Sequence, residues 1–270
     1  LLTQAEAVNH VFVAAAGNAS TNIDTYPSYP AAYQNSNVIS VASIQSDGSR
    51  SGFSNYGTSN VDVAAPGSGI RSTISGGRYA SFNGTSMASP HVAGIAALMR
   101  SLEPTASTED IKRILIETSV WDSRLEDVSD SGGRVNASAA VSAVNGSIPS
   151  LEITSTATVV TEGDTVIFSA TANDSSENDI SDQVVWKIGE ENQTTGSTFT
   201  YTASTPGQVR VRAEVTDASG TASTFINLTV NEIERSITIT SPNGGEIYES
   251  GDTEQITWNY VGPTGPVDVT

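Results

Sequence analysis

The chain has 270 residues, and its 12 Lys and Arg against 30 Asp and Glu leave a formal charge of −18. So acidic a surface repels nucleic acid and anionic lipid, which argues against both as partners. Without cysteine there are no disulfides, thiolate metal sites or cysteine nucleophiles, and no apolar run reaches the roughly 18 residues of a membrane span.

Residues 1–145 read as an α/β segment. Val11-Phe12-Val13-Ala14-Ala15-Ala16 is a short apolar run closed by Gly17-Asn18. Val38-Ile39-Ser40-Val41-Ala42 and Val61-Asp62-Val63-Ala64-Ala65 are two more, the second stopped by Pro66-Gly67. Runs this apolar suit a parallel sheet buried on both faces. Ile70 to Phe82, with Gly76-Gly77 at its centre, predicts a hairpin. Ser86 to Ser101 predicts a helix apolar on nearly every side, the pattern of a helix buried all round. Pro90 fits in or near the first turn, where a missing N–H costs little. Pro104 closes that helix, Thr108 is the expected cap of a second one bearing Ile111, Ile114 and Leu115, and Val135 to Val144 predicts a third.

Composition shifts at residues 146–150, a linker. Between 151 and 231 the chain turns to period-two alternation in Thr165–Ala170, Gln183–Trp186, Ser197–Tyr201, Val209–Val215 and Phe225–Val230. Six or seven short strands at this spacing predict an all-β sandwich. The placement of Trp186 and the lack of cysteine resemble immunoglobulin-like or polycystic-kidney-type extracellular modules. Residues 236–270 restart the pattern around Ser241-Pro242-Asn243-Gly244-Gly245-Glu246. They read as the start of a second sandwich module, truncated before it can close a sheet.

The chemistry concentrates in Gly84-Thr85-Ser86-Met87-Ala88-Ser89-Pro90-His91-Val92-Ala93-Gly94, which sets a serine between a glycine-bearing turn and an apolar helix. A hydroxyl there meets unpaired N–H groups and about half a unit of positive charge, a setting for an oxyanion beside an attacking oxygen. This run resembles the nucleophile motif of the subtilases, the subtilisin-like serine peptidases. Ala15-Ala16-Gly17-Asn18, Tyr29-Pro30-Ala31, Phe53-Ser54-Asn55-Tyr56-Gly57, Asp62–Gly67 and Gly132-Gly133-Arg134-Val135-Asn136-Ala137 carry the same resemblance. It implies a partial subtilisin-like α/β fold, a parallel sheet with helices on both faces. It implies Ser86 as nucleophile, with Asn18 and the Ser86 N–H as donors to the oxyanion. It also implies Ala15, Ala16, Gly17 and Thr85 as substrate-side residues. Read from residue type alone, Ser86 and Thr85 are helix caps and Asn18 is a turn residue.

Subtilases also use an Asp and a His, in D-[ST]-G and H-G-T-H motifs, and neither motif occurs here. The two histidines are His10 and His91. His91, five residues after Ser86, sits roughly 140° around the helix and reads as a packed helix histidine. His10 lies roughly 25 Å of strand from Asn18, at the wrong end of the sheet. Asp24, Asp47 and Asp62 have no base to orient. The expectation is a secreted subtilisin-like serine endopeptidase acting on proteins or peptides. The stretch 1–145 would be the C-terminal part of its catalytic domain, inactive alone. The alternative is a non-catalytic surface-binding or adhesion protein with a relic or split protease domain. The chemistry asks for no cofactor. Structural Ca²⁺ is an expectation without an assigned site: Asn173-Asp174-Ser175-Ser176-Glu177-Asn178-Asp179 offers oxygens but lacks EF-hand spacing and reads first as a solvated loop. The sandwich is expected to bind a cell surface or polymer, or to act as a spacer.

Overall fold

The computed structural model describes residues 2–146, 148–234, 236–245, 247, 249–251, 253 and 255–261. A short helix α1 (Leu2–Glu6) precedes strands β1 (Phe12–Ala15), β2 (Val38–Ile44) and β3 (Val63–Pro66). The hairpin β4 (Ile70–Ile74) and β5 (Arg78–Phe82) leads into helix α2 (Thr85–Leu102) and then α3 (Thr108–Glu117). Two-residue strands β6 (Val120–Trp121) and β7 (Gly133–Arg134) and helix α4 (Ala137–Val144) follow. The main sheet has the order β1-β2-β3-β7-β6, parallel throughout except for β6.

All seven residues of β2 are buried, as its apolar run requires. Period-two alternation sorts them onto two faces. Ile39 and Val41 join Val92, Ile95, Met99, Ile111, Leu115 and Ala140 beneath α2, α3 and α4. Val38, Ala42 and Ile44 pack on the opposite face with Ala14, Ala16, Ile23, Leu125 and Val128, against Leu2 of α1.

Helix α2 departs from its expected burial. Val92, Ile95, Ala96 and Met99 are buried, while Ala93, Gly94, Ala97, Leu98 and Leu102 are exposed. Pro90 is the sixth residue of the helix, past the first turn, so the Ser86 carbonyl loses its ordinary i+4 donor. The cap of α3 is Ser107, not Thr108: its hydroxyl accepts from Asp110 N, and the Asp110 carboxylate accepts from Ser107 N. The strands β6 and β7 carry no sequence signal, because two residues are too few for a period.

Residues 150–231 form strands β8 (Ser150–Ser155), β9 (Val159–Thr161), β10 (Thr165–Asn173), β11 (Val185–Ile188), β12 (Glu191–Thr195), β13 (Thr198–Thr202), β14 (Gly207–Thr216) and β15 (Thr221–Asn231). They make two sheets, in the orders β13-β10-β8 and β12-β11-β14-β15-β9. Trp186 is fully buried, donates from Nε1 to Gly196 O at 2.8 Å and lies near the Phe199 ring. A hairpin of β16 (Ser236–Ser241) and β17 (Thr257–Val261) follows. Glu246 and residues 262–270 of the expected second module lie outside the described residues. The chain forms two compact units. One comprises Leu1–Thr154, Ser169–Phe199 and Arg210–Ile226, and the other Ser155–Phe168, Thr200–Val209 and Asn227–Thr270. Among the described residues no helix is long and apolar enough to cross a membrane.

One ion pair ties α3 to the sheet. Lys112 Nζ lies 2.9 Å from Asp62 Oδ1 and donates to Val38 O, while Ser40 N donates to Asp62 Oδ2 at 2.7 Å. Burial pushes the Asp62 carboxyl up, and the neighbouring ammonium pulls it back. Lys112→Ala strands that carboxylate and is expected to cost about 3–5 kcal/mol. Because the folded carboxyl titrates above its usual range, the loss shrinks as pH falls and Asp62 becomes neutral. Denaturant unfolding of both proteins at neutral and acidic pH checks this; an unchanged midpoint would contradict it.

Candidate active site

The site begins where β1 ends. Gly17 takes φ +108°, and a Cβ on it would lie 2.4 Å from Asn55 Nδ2. Only glycine fits a left-handed turn pressed this closely. Asn55, 4% exposed, holds the loop from inside. Its amide donates to Ala16 O at 2.9 Å, and its Oδ1 accepts from Ala19 N and Thr21 N at 2.9 and 3.1 Å. The loop that carries Asn18 is thereby fixed on both sides.

The second wall is the start of α2. Gly84 N donates to Gly67 O, and a Cβ on Gly67 would sit 2.7 Å from Gly84 O, so two glycines let the chain pass. The fully buried Thr85 spans the two walls. Its hydroxyl donates to Asn18 Oδ1 at 3.0 Å and accepts from Gly17 N at 3.1 Å. Its own N–H donates to the same Asn18 Oδ1 at 2.9 Å. With the amide oxygen held by Thr85, the Asn18 Nδ2 group turns outward. Thr85 therefore sits behind Asn18, its N–H and hydroxyl both engaged within the protein.

Ser86 is exposed, the second residue of α2. A Cβ placed on Gly84 would lie 3.5 Å from Asn18 Nδ2 and 3.7 Å from Ser86 N. The Asn18 Nδ2 and Ser86 N donors thus lie on either side of the point where a Gly84 Cβ would stand, with Met87 Sδ also 3.5 Å from it. The helix N-terminus adds its partial positive charge. Such an arrangement is suited to holding a negative oxygen.

The small residues before Asn18 are brought to the same place. Ala16 N donates to Val41 O and Gly17 O accepts from Asn55 N, which uses the backbone of both inside the fold. In a parallel ladder alternate residues point to opposite edges. Phe12 N and Ala16 N point to β2, so Ala15 presents its N–H and C=O to the other edge of β1.

Neither histidine joins the site. His91 is exposed, not packed, and its Nδ1 pairs with Met87 O at 2.9 Å. His10 is exposed at the opposite end of β1. Asp24 accepts from Asn60 N and Ser59 N, Asp47 from Ser49, and Asp62 pairs with Lys112. The loop considered for calcium turns its carboxylates onto its own chain: Asp174 accepts from Ser176 N, Asn178 N and Asn178 Nδ2, and Asp179 from Ser181. Among the described residues no three His, Cys, Asp or Glu side chains stand where they could hold a metal ion together.

The model of the subtilase family matches residues 1–145, more than half of the chain. The chain belongs to the subtilase family. A PKD domain model matches residues 147–231, the β-sandwich. Among curated relatives, an extracellular protease of Xanthomonas campestris pv. campestris is 45% identical over 145 residues, 50% of this chain and 24% of that protein. Thermitase of Thermoactinomyces vulgaris is 49% identical over 136 residues, 48% of this chain and 44% of its own. Among solved structures, a protease of Pseudoalteromonas arctica PAMC 21717 aligns with a TM-score of 0.47 at 37% identity, covering 53% of this chain and 45% of that one. The chain spans under half the length of these relatives. In this subtilase segment, Asn55 is the site residue whose role the sequence reading missed. It lies inside the quoted Phe53–Gly57 stretch, but its contacts reach back more than thirty residues.

Asn55→Ala removes the donor to the buried Ala16 carbonyl and the acceptor shared by the Ala19 and Thr21 amides. It is expected to cost about 2–3 kcal/mol and to speed amide exchange at Ala19 and Thr21, leaving the β4–β5 hairpin unchanged. Unaltered exchange at both amides would contradict the role given to Asn55.

Proposed function

We propose that this chain supplies the nucleophile and oxyanion hole of a serine endopeptidase that acts on polypeptides outside the cell. The observation that carries the reading is that Asn18 Nδ2, its amide oxygen held by Thr85, and Ser86 N lie 3.5 and 3.7 Å from one point at the start of the helix that bears the exposed Ser86. Ser86 Oγ attacks the scissile carbonyl carbon, and the carbonyl oxygen, now negative, takes up the two N–H donors. The tetrahedral adduct expels the amine and leaves an acyl-enzyme, which water then hydrolyses. Thr85 acts through Asn18, whose amide it holds in the donating orientation. Ala15 offers an N–H and a C=O to an extended substrate at the β1 edge, and Ala16 and Gly17 leave room beside it. The chemistry needs no cofactor.

Attack requires a base for the Ser86 proton. With His10 and His91 both away from Ser86, we assign the base and its orienting carboxylate to polypeptide outside these 270 residues. The uncharged outer face of α2, with Ala93, Ala97 and Leu98, continues from Ser86 and offers that polypeptide a packing surface. Action outside the cell rests on the name of the Xanthomonas relative.

Fluorophosphonate labelling of the protein as its source makes it tests this reading. The expected result is one labelled peptide containing Ser86, abolished by Ser86→Ala. Asn18→Ala is expected to lower peptide hydrolysis by about 10²–10³-fold, while His10→Ala and His91→Ala leave it within about twofold. Hydrolysis that persists in Ser86→Ala, or protein that never labels at Ser86, would overturn the proposal.

A further inference from the structure

Strand β14 reads as one-sided: Val209, Val211, Ala213 and Val215 alternate with Arg210, Arg212 and Glu214. The charged set of such a strand belongs to solvent. Yet Arg210 is 6% and Arg212 7% exposed. Arginines are rarely this buried without partners.

Part of their surroundings comes from the α/β part. The Arg212 guanidinium lies 4.8 Å over the ring of Trp121, itself 7% exposed, and Arg212 Nη2 reaches Glu214 Oε1 at 2.5 Å. Arg210 lies 4.2 Å over Phe225, and its charge is felt by Asp130, Glu126 and Asp127 and opposed by Arg212. Gly132 has φ +56°, and a Cβ on it would lie 2.2 Å from Arg210 Nη1. Room for that guanidinium therefore exists because residue 132 is glycine. Ser223 Oγ donates to Glu117 O at 2.8 Å. Residues 210–226 and the main sheet belong to one compact unit.

Trp121 lies on β6, the edge strand of the main sheet. An edge of two residues has few hydrogen bonds of its own and needs cover. We infer that residues 210–226 are a built-in brace for the β6–β7 edge, so that the subtilase sheet and this part of the sandwich open as one cooperative unit. This inference does not depend on the proposed catalysis.

Hydrogen exchange on the full chain tests it, with a change made on one side and read on the other. Gly132→Ala drives a methyl against Arg210. It is expected to speed exchange about tenfold both in residues 119–134 and in residues 210–226. Arg212→Lys keeps the charge but loses the planar stack on Trp121, and is expected to act on the same two segments. Gly77→Ala, also at positive φ (+69°) but with nothing within 4 Å, is the strain control and should leave both segments unchanged. If either variant fails to fold, Ser223→Ala, which removes one hydrogen bond to Glu117, is read the same way. The inference is overturned if each change loosens only its own segment.

Discussion

The hydrogen bonds between Thr85 and Asn18 join residues 67 positions apart, and the chemistry of the site rests on them. Asn18 is an exposed side chain on a turn and would otherwise sample several rotamers. Two donors from Thr85, its N–H and its hydroxyl, take the amide oxygen and leave the amide nitrogen a single direction. The same hydroxyl accepts from Gly17 N, so turn and side chain are set by one buried residue. Preorganised donors of this kind need no reorganisation when charge develops.

That arrangement is possible because the backbone comes unusually close to itself. A Cβ on Gly17 or Gly67 would enter space held respectively by Asn55, or by Ser43 and Gly84 O. The parallel sheet supplies the frame. β1 and β3 run side by side with β2, so the turn after β1 and the loop after β3 leave from the same, carboxyl end. Buried β2 and the Asp62–Lys112 pair hold that frame against α3.

Much of this was legible in the residues. The runs at 11–16, 38–42 and 61–65 became β1, β2 and β3 because both faces of a parallel sheet are buried, and the Gly76-Gly77 pair marked its hairpin. The Ser86 and Asn18 motifs were legible as a resemblance. Other features depend on contacts distant in sequence and left no local pattern. Thr85 looks like a cap, and its partner lies 67 residues away in the chain. Asn55 looks like a turn residue, and its work is done on Ala16, Ala19 and Thr21. His91 was read as packed because α2 is apolar all round, yet that face of α2 has nothing over it among the described residues. The β14 arginines read as solvent-facing by periodicity. They are buried because Trp121 and Gly132 lie over them.

The most direct test is a crystal structure of the phosphonylated protein at Ser86. The phosphoryl oxygen stands in for the oxyanion of the tetrahedral adduct. It is expected within about 2.7–3.1 Å of both Asn18 Nδ2 and Ser86 N, with the Thr85–Asn18 bonds unchanged. An oxygen turned away from these two donors, or an Asn18 amide released from Thr85, would contradict the account.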